Sequence, residues 1–309
     1  MMKFIFFLLF PTMALAQDKG VVLDAATGNA VAYVNIASSL SEKAVSTDEN
    51  GNFFINFDPN DMLTFSAIGY QTANIKASQA DIVHLTAVIY PLDGVTVSQP
   101  KRTVEATIAG YDRSDIDMFY GTNGYAYVYA RRFAPQSQFQ ATPYLKKLTI
   151  MTRSEVKNAK FNVHFYESNP DGTPGAEMGT ANIIGIAKKG SRDTAIDLSP
   201  FNLRIPEYGF FVGLETLIIP ENKYLEYAYT DKNKVYHESF FYAPTFGTTR
   251  TETNTSWGFG KKHEWGEFQK VSPEKILQYY ADFNKATGKM APPFDDRHVE
   301  FAMKLTITD

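Results

Sequence analysis

The sequence predicts an all-β protein with two sandwich domains, the second carrying one added helix. The chain of 309 residues contains 24 Phe and 18 Tyr but only 2 Trp, and aromatic residues favour strands. Short runs alternate between apolar and polar residues, which is the period of a half-buried strand. Turn residues interrupt these runs at the spacing of a sandwich. A chain of this length also favours two domains.

Residues 1–16 are predicted to be a secretory signal peptide. Lys3 supplies a positive start, residues 4–10 are apolar, and Ala14 and Ala16 form an Ala-x-Ala ending that favours cleavage after Ala16. The alternative is a buried first strand, which the polar residues 17–19 disfavour. No later segment is long and apolar enough for a membrane helix. We therefore expect an exported mature chain without a transmembrane segment, located in the periplasm, on the outer membrane or outside the cell.

Charge and composition exclude several classes of function. The formal net charge is −4 and the sequence has no long basic block, so nucleic acid is not an expected partner. The sequence contains no Cys, which excludes thiol nucleophiles, Cys-based zinc sites and a lipoprotein anchor.

The first domain is predicted to span residues 17–98 as a small sandwich of about seven strands. Asn50 and Gly51 suit a hairpin turn, because both tolerate positive φ. Phe53, Ile55 and Phe57 follow on one face of the returning strand. The predicted strands are 20–24, 31–36, 52–57, 62–68, 82–90 and 94–98.

Residues 20–98 resemble a known module, the carboxypeptidase regulatory-like domain common in secreted and outer-membrane proteins of the Bacteroidetes type. The resemblance implies a seven-stranded transthyretin-like sandwich without chemistry of its own. It covers about a quarter of the chain. The matching residues are Gly20, Val22 and Asp24; Thr27 and Gly28; Tyr33, Val34 and Ile36; Thr47, Asp48, Gly51 and Phe53; and Leu63, Phe65, Ser66, Gly69 and Tyr70.

The rest of the chain is interpreted as a linker and a second domain. Residues 99–115 are polar and aperiodic, which predicts a linker. Residues 116–309 predict a second sandwich or jelly roll of about eight to ten strands. Its predicted strands are 125–133, 145–151, 160–167, 194–198, 209–219, 235–242 and 299–307. We expect two separate closed cores with no reactive cleft.

One helix is predicted near the C-terminus. Ser272 is a suitable N-cap, and Pro273 suits the first helical position. Ile276, Leu277, Tyr280 and Phe283 recur at helical spacing, and Gly288 is suited to ending the helix. We expect it to pack on an edge or end of the second sandwich.

Three candidate metal sites, one for zinc and two for calcium, are weighed against turn and strand geometry. His164 and Glu167, with the distant His298, have the spacing of a zinc peptidase site. Residues i and i+3 of a strand point to opposite faces, so we expect this pair to diverge. The loops 169–172 and 48–50 offer oxygens for calcium, yet Asx turns explain both. No cofactor is therefore predicted.

The remaining candidate is an aromatic, polar surface that could stack sugars. The candidate ligand-binding residues are Trp257, Trp265, His263 and Tyr242. The alternative is that the large aromatics are core residues of returning strands. This alternative is favoured, because such side chains are mostly buried.

The sequence thus predicts a non-enzymatic binding or structural protein of the cell envelope, with another protein or a glycan as partner. The alternative is a hydrolase acting on carbohydrate or peptide through a site in the second domain. A pair of carboxylates in a concave pocket with aromatic walls would favour the hydrolase.

Overall fold

The computed structural model describes residues 18–41, 43–55, 57–88, 102–179, 181–230, 232, 234–260, 264–287, 290 and 295–309. The predicted signal peptide, residues 1–16, lies outside this part of the chain. The fold is almost entirely β, as predicted, with one α-helix among the described residues. None of the described helices has the length and apolarity needed to cross a bilayer.

The N-terminal domain contains seven strands in two sheets. They are β1 (Asp18–Asp24), β2 (Asn35–Ser38), β3 (Ala44–Ser46), β4 (Asn52–Ile55), β5 (Met62–Ser66), β6 (Ala73–Lys76) and β7 (Ile82–Leu85). One sheet has the order β4-β1-β7 and the other β3-β2-β5-β6. Phe53 of the first sheet meets Phe65 of the second edge to face at 5.7 Å between ring centroids. Alternation thus buries one face of each sheet in a shared core.

The strand bounds differ from the predicted ones for local reasons. β3 and β6 were not predicted, because three or four residues carry too little alternation. The predicted strand 31–36 begins only at Asn35, since Tyr33 has a φ of 59° that breaks the extended backbone. The predicted strand 94–98 lies outside the described residues.

The C-terminal domain contains fifteen described strands, more than the eight to ten predicted. They are β8 (Glu105–Ile108), β9 (Met118–Thr122), β10 (Val128–Phe133), β11 (Tyr144–Ser154), β12 (Ala159–Ser168), β13 (Pro174–Glu177), β14 (Ile183–Ala187), β15 (Gly190–Asp197), β16 (Phe210–Thr216), β17 (Lys223–Thr230), β18 (Tyr236–Thr251), β19 (Ser256–Phe259), β20 (Trp265–Glu267), β21 (His298–Phe301) and β22 (Met303–Thr308). The difference comes mostly from short strands that lack a clear period.

These strands form two sheets that enclose the larger core. The seven-stranded sheet has the path β13-β12-β16-β10-β19-β20, with β14 pairing β12. The eight-stranded sheet has the path β17-β18-β11-β22-β8, with β15 on β11 and both β9 and β21 on β18. Phe161 of one sheet meets Phe246 of the other at 5.3 Å between centroids, and both side chains are fully buried.

Part of the predicted linker belongs to the second domain. Strand β8, within residues 99–115, pairs with β22 from Ile108 opposite Leu305 to Glu105 opposite Thr308. Ile108 is buried in the larger core. The polar composition of the segment concealed this strand, because only one of its four residues is apolar and fully buried.

The predicted helix is present as α1 (Pro273–Thr287). The predicted closing residue, Gly288, lies outside the described residues. Ile276 and Tyr280 are half-buried, one helical turn apart, whereas Leu277 is 68% exposed. Only part of the predicted apolar stripe is therefore covered.

Candidate functional site

The two domains meet along the outer face of the seven-stranded sheet. Backbone hydrogen bonds join them directly, since Ala44 N–H donates to Gly124 O at 2.8 Å and Ser46 N–H to Ile218 O at 3.0 Å. Asn182 Nδ2 of the second domain donates to Ala32 O at 3.1 Å. These hydrogen bonds hold the N-terminal domain against the C-terminal domain at several points.

A cavity of about 540 Å³ lies at this junction, and we call it the interdomain cleft. Its size falls within the range of small-molecule sites. Both domains contribute polar and aromatic side chains to its walls. The lining residues used below are Tyr33, Asn35, Ala37 and Ser66 from the first domain, and Tyr127, Asn162, His164, Tyr166, Glu177, Glu215 and Phe259 from the second.

Strand alternation positions the side chains of the second domain's wall. In β12, Phe161, Val163 and Phe165 enter the core, so the intervening residues Asn162 and His164 point outward. Residues opposite each other in an antiparallel pair share a face, and Asn162 lies opposite Glu215 of β16. The same register therefore places an amide, an imidazole and a carboxylate together.

His164 lies between two carboxylates at the base of the cleft. Its Nδ1 is 2.7 Å from Glu177 Oε1 and its Nε2 is 3.1 Å from Glu215 Oε2. Burial disfavours the charged ring, but the hydrogen bonds to Glu177 and Glu215 outweigh it and raise the pKa of His164 to about 10. The imidazole is therefore a cation at neutral pH, and both ring nitrogens donate.

Glycine makes room for this arrangement. Gly213 of β16 lies opposite His164, and a Cβ there would come within 2.8 Å of Val128 and 3.1 Å of Tyr166. Any larger residue would displace the side chains that form the wall. Tyr166 stacks on the His164 ring at 5.8 Å between centroids, and burial with the charges of the two glutamates raises its pKa.

Glu215 also connects the two domains. Its Oε1 accepts a hydrogen bond from Asn35 Nδ2 of β2 at 2.6 Å, and its Oε2 accepts one from Asn162 Nδ2 at 3.4 Å. With the bond from His164, this buried carboxylate has three donors. A buried carboxylate requires such partners, and these three donors hold the Glu215 side chain in one orientation.

The predicted aromatic residues fall in different places. Trp257 and Trp265 lie on the neighbouring strands β19 and β20 of the seven-stranded sheet, whereas Tyr242 lies on β18 of the other sheet. Trp265 packs against Tyr166 and Phe259, at 5.0 and 5.3 Å between ring centroids. It therefore supports two residues that line the cleft.

Of the other three predicted residues, the two that the structure describes, Trp257 and Tyr242, do not line the interdomain cleft. Trp257 is half-buried and packs edge to face on Phe211 at 5.9 Å between centroids. Tyr242, also half-buried, is on a different sheet. His263 lies outside the described residues. The sequence did not single out Asn35, Asn162, Glu177 or Glu215, although polar residues alternating with Phe161, Val163 and Phe165 were a visible signal.

The zinc and calcium candidates have other partners. β12 pairs regularly with β16 throughout residues 161–167, and His164 is buried while Glu167 is exposed, so their predicted divergence is confirmed. Asp48 Oδ1 accepts from the N–H groups of Asn50 and Asn52, as in an Asx turn. Asp171 Oδ1 does the same with Thr173. In the described part of the chain no group of three or more His, Asp or Glu side chains has an arrangement that could hold a metal ion.

Comparisons with known proteins identify the first domain. Residues 19–97 match the CarboxypepD_reg-like domain family, which confirms the resemblance seen in the sequence. No curated protein matches the chain.

Two solved structures show some similarity, each at 9% identity. One is a Clostridial cysteine protease, Cwp84, after propeptide cleavage, with a TM-score of 0.35; the match covers 86% of this chain and 57% of that one. The other contains the cysteine protease and lectin-like domains of Cwp84, a surface layer associated protein of Clostridium difficile, with a TM-score of 0.31; the match covers 82% and 48%. This chain thus spans about half of either structure, and scores this low carry no argument about function.

Proposed function

We propose that the protein is a non-enzymatic binding protein of the bacterial cell envelope that holds a glycan in the interdomain cleft. One observation carries this proposal: the cleft combines aromatic rings with an accessible carboxylate. Rings such as Tyr127 and Phe259 offer apolar faces to a sugar, while the carboxylate of Glu177, whose side chain is 24% exposed, accepts hydrogen bonds from its hydroxyl groups. The signal-peptide pattern of residues 1–16 supports the envelope location.

A glycan suits the cleft better than a folded protein partner does. The site is a concave space of about 540 Å³, whereas a stable protein interface needs an extended surface on each side. The first domain, a CarboxypepD_reg-like sandwich, belongs to a non-catalytic domain type. In this proposal it supplies one wall of the binding site.

The hydrolase alternative has one observation in its favour, the carboxylates of Glu177 and Glu215 in a cleft with aromatic walls. Glycoside hydrolysis needs one carboxyl group as a proton donor and the other as a base or nucleophile. Here both carboxylates accept hydrogen bonds from His164, whose ring lies between them. Glu215 also accepts hydrogen bonds from Asn35 and Asn162, so its two oxygens are already engaged with donors of the protein itself.

A glycan array tests the proposal, followed by titration calorimetry of the full chain with uncharged hexose and N-acetylhexosamine oligosaccharides. We expect saturable binding without release of a shorter product. Ala37→Trp, which fills the cleft, should reduce affinity at least about tenfold, because a filled site excludes the sugar. Ala26→Trp makes the same change in an exposed turn and should bind as the wild type does.

Failure of every oligosaccharide to bind would contradict the proposal, as would equal binding by Ala37→Trp. Cleavage of a bound oligosaccharide would instead support the hydrolase.

A further inference from the structure

The loop between β2 and β3 forms part of the first domain's wall in the interdomain cleft. The loop residues that line the cleft are Ser38, Ser39, Leu40, Ser41 and Lys43. The loop is closed at its base, where Ser38 N–H donates to Lys43 O at 3.1 Å. Its conformation therefore decides which side chains the first domain presents to a ligand.

A buried carboxylate holds this loop in one conformation. Asp61 is only 1% exposed, and it accepts hydrogen bonds from the hydroxyl groups of Ser38 and Ser39. Its Oδ1 also accepts from the backbone N–H groups of Ser39 and Leu40, each at 3.1 Å. A change in loop conformation would cost this buried carboxylate its donors, which is unfavourable. The loop is thus preorganised before a ligand binds.

The anchored loop presents an apolar side chain. Leu40 is 70% exposed and belongs to neither hydrophobic core. A single exposed leucine is common on protein surfaces, but this one lines a cavity and its backbone N–H is bound by Asp61. Ala37 and Ala67 of the same domain, both partly exposed, also line the cleft. The first domain thus offers a small, accessible apolar surface that a ligand group can cover.

The ionisable side chains that line the cleft balance in charge. Among the described residues they are two cations, Lys43 and His164, and two carboxylates, Glu177 and Glu215. Lys43 is exposed, and its side chain has no hydrogen bond or ion pair to any described residue, so its ammonium group is available to a ligand. A neutral ligand with an acceptor for Lys43 and hydroxyl donors for Glu177 complements this wall charge.

We propose that the cleft selects N-acetylated amino sugars and that the β2–β3 loop recognises their acetamido group. The acetamido methyl packs on Leu40, and the acetamido oxygen accepts a hydrogen bond from Lys43. An acetamido group suits these two side chains because it is neutral and joins an apolar methyl to a strong acceptor. The sugar hydroxyls donate to Glu177 on the opposite wall. This inference rests on the proposed glycan function and names its substrate class.

The experiment titrates the full chain with pairs of neutral oligosaccharides of equal length. The two members of a pair differ only in carrying an acetamido or a hydroxyl group at the same carbon. We expect the acetylated member to bind at least about tenfold more tightly, as one covered methyl group and one charge-assisted hydrogen bond allow. We call this ratio of affinities the acetamido preference.

Two variants at exposed positions remove the proposed contacts one at a time. Leu40→Ser removes the apolar contact and should lower the acetamido preference by about fourfold, the value of one methyl group. Lys43→Met keeps the side-chain length but removes the donor, and it should lower the preference by about fivefold to tenfold. Both variants should bind the hydroxyl member within about twofold of wild type.

Leu277→Ser is the matched control. Leu277 of α1 is 68% exposed, almost the same as Leu40, and it does not line the cleft. Its acetamido preference should stay within about twofold of wild type. This control separates loss of a contact in the cleft from the general effect of removing an exposed leucine.

Asp61→Asn tests the anchor of the loop. It places an amide donor against the hydroxyl groups of Ser38 and Ser39, so we expect the loop to lose its fixed conformation and the acetamido preference to fall. Circular dichroism and thermal melting report whether each variant is folded. If Asp61→Asn is unfolded, the Leu40 and Lys43 variants still decide, because their side chains lie at the surface.

The outcomes are distinguishable from those of the proposed function. Equal affinity of the wild type for both members of every pair overturns the selection of acetamido groups while leaving glycan binding intact. An unchanged preference in both Leu40→Ser and Lys43→Met overturns the assignment to the loop. Tighter binding of a uronic acid counterpart than of the acetylated sugar also overturns this inference, because Lys43 would then pair with a carboxylate. Absence of any saccharide binding overturns both proposals.

Discussion

The two faces of β12 are both buried, but against different neighbours. Phe161, Val163 and Phe165 enter the core between the two large sheets. Asn162 and His164 are also buried, at 2% and 8% exposure, on the side of the N-terminal domain and the cleft. The apolar face gains from leaving water, whereas the polar face must find a partner for each buried group. Burial of polar side chains in a strand is therefore what marks the candidate site.

The largest expected effect lies on the apolar face. Phe161→Ala should lower the free energy of unfolding by about 3–5 kcal/mol, because it leaves a cavity opposite Phe246 in a fully buried core. Chemical denaturation of the full chain measures this loss. Phe54→Ala, at a position 43% exposed, should cost well under half as much. Equal losses in the two variants would mean that the larger core is not packed as described.

The contribution of the polar face of β12 to the free energy of unfolding should depend on pH. The pKa of His164 is about 10 in the folded protein and about 6.5 in the unfolded chain. Its stabilising effect is therefore fully present below about pH 6.5 and is lost as pH rises towards 10, because the unfolded chain releases the proton first. Denaturation curves between pH 6 and 10 measure the change.

His164→Gln supplies the control for this pH dependence. It should cost about 2 kcal/mol at pH 6.5, since two carboxylates lose their charged donor, and the cost should shrink as pH rises. Parallel pH profiles for the variant and the wild type would show that His164 is not a cation in the folded protein.

The smallest effect is expected at the exposed end of the same strand. Glu167→Gln should change the free energy of unfolding by less than about 0.5 kcal/mol, since Glu167 points into solvent and has no hydrogen bond from its side chain to any described residue. Glu177→Gln makes the same chemical change at a residue bonded to His164 at 2.7 Å, and it should cost more. A larger loss at Glu167 than at Glu177 would contradict the assignment of faces.

Local patterns predicted much of the fold. The alternation within residues 62–68 and 160–167 corresponds closely to β5 and β12. Strands such as β3 and β8 were missed because so few residues cannot show a period. Their positions are set instead by pairing with distant partners, for example β8 with β22 across most of the C-terminal domain.

The site could be predicted only in part, and the reason is distance along the chain. His164 was noticed, but as a metal ligand, because its nearest carboxylate in sequence is Glu167. Its actual partners are Glu177 and Glu215, brought to it by the pairing of β12 with β13 and β16. Asn35 comes from the other domain, 180 positions away from Glu215. The two separate cores were predicted, whereas the cavity between the domains was not, because it depends on contacts between residues far apart in the sequence.

The backbone bonds from β3 to residues 124 and 218 have a consequence for protein engineering. Because the edge strand β3 of the first domain also bonds to the second domain, the first domain cannot be exchanged independently of the second. A chimera with another sandwich of the same family in place of residues 18–88 would keep seven strands, but it would keep the bond to Glu215 only with an asparagine at position 35. The backbone bonds at positions 44 and 46 would form only if the new edge strand lay in the same place.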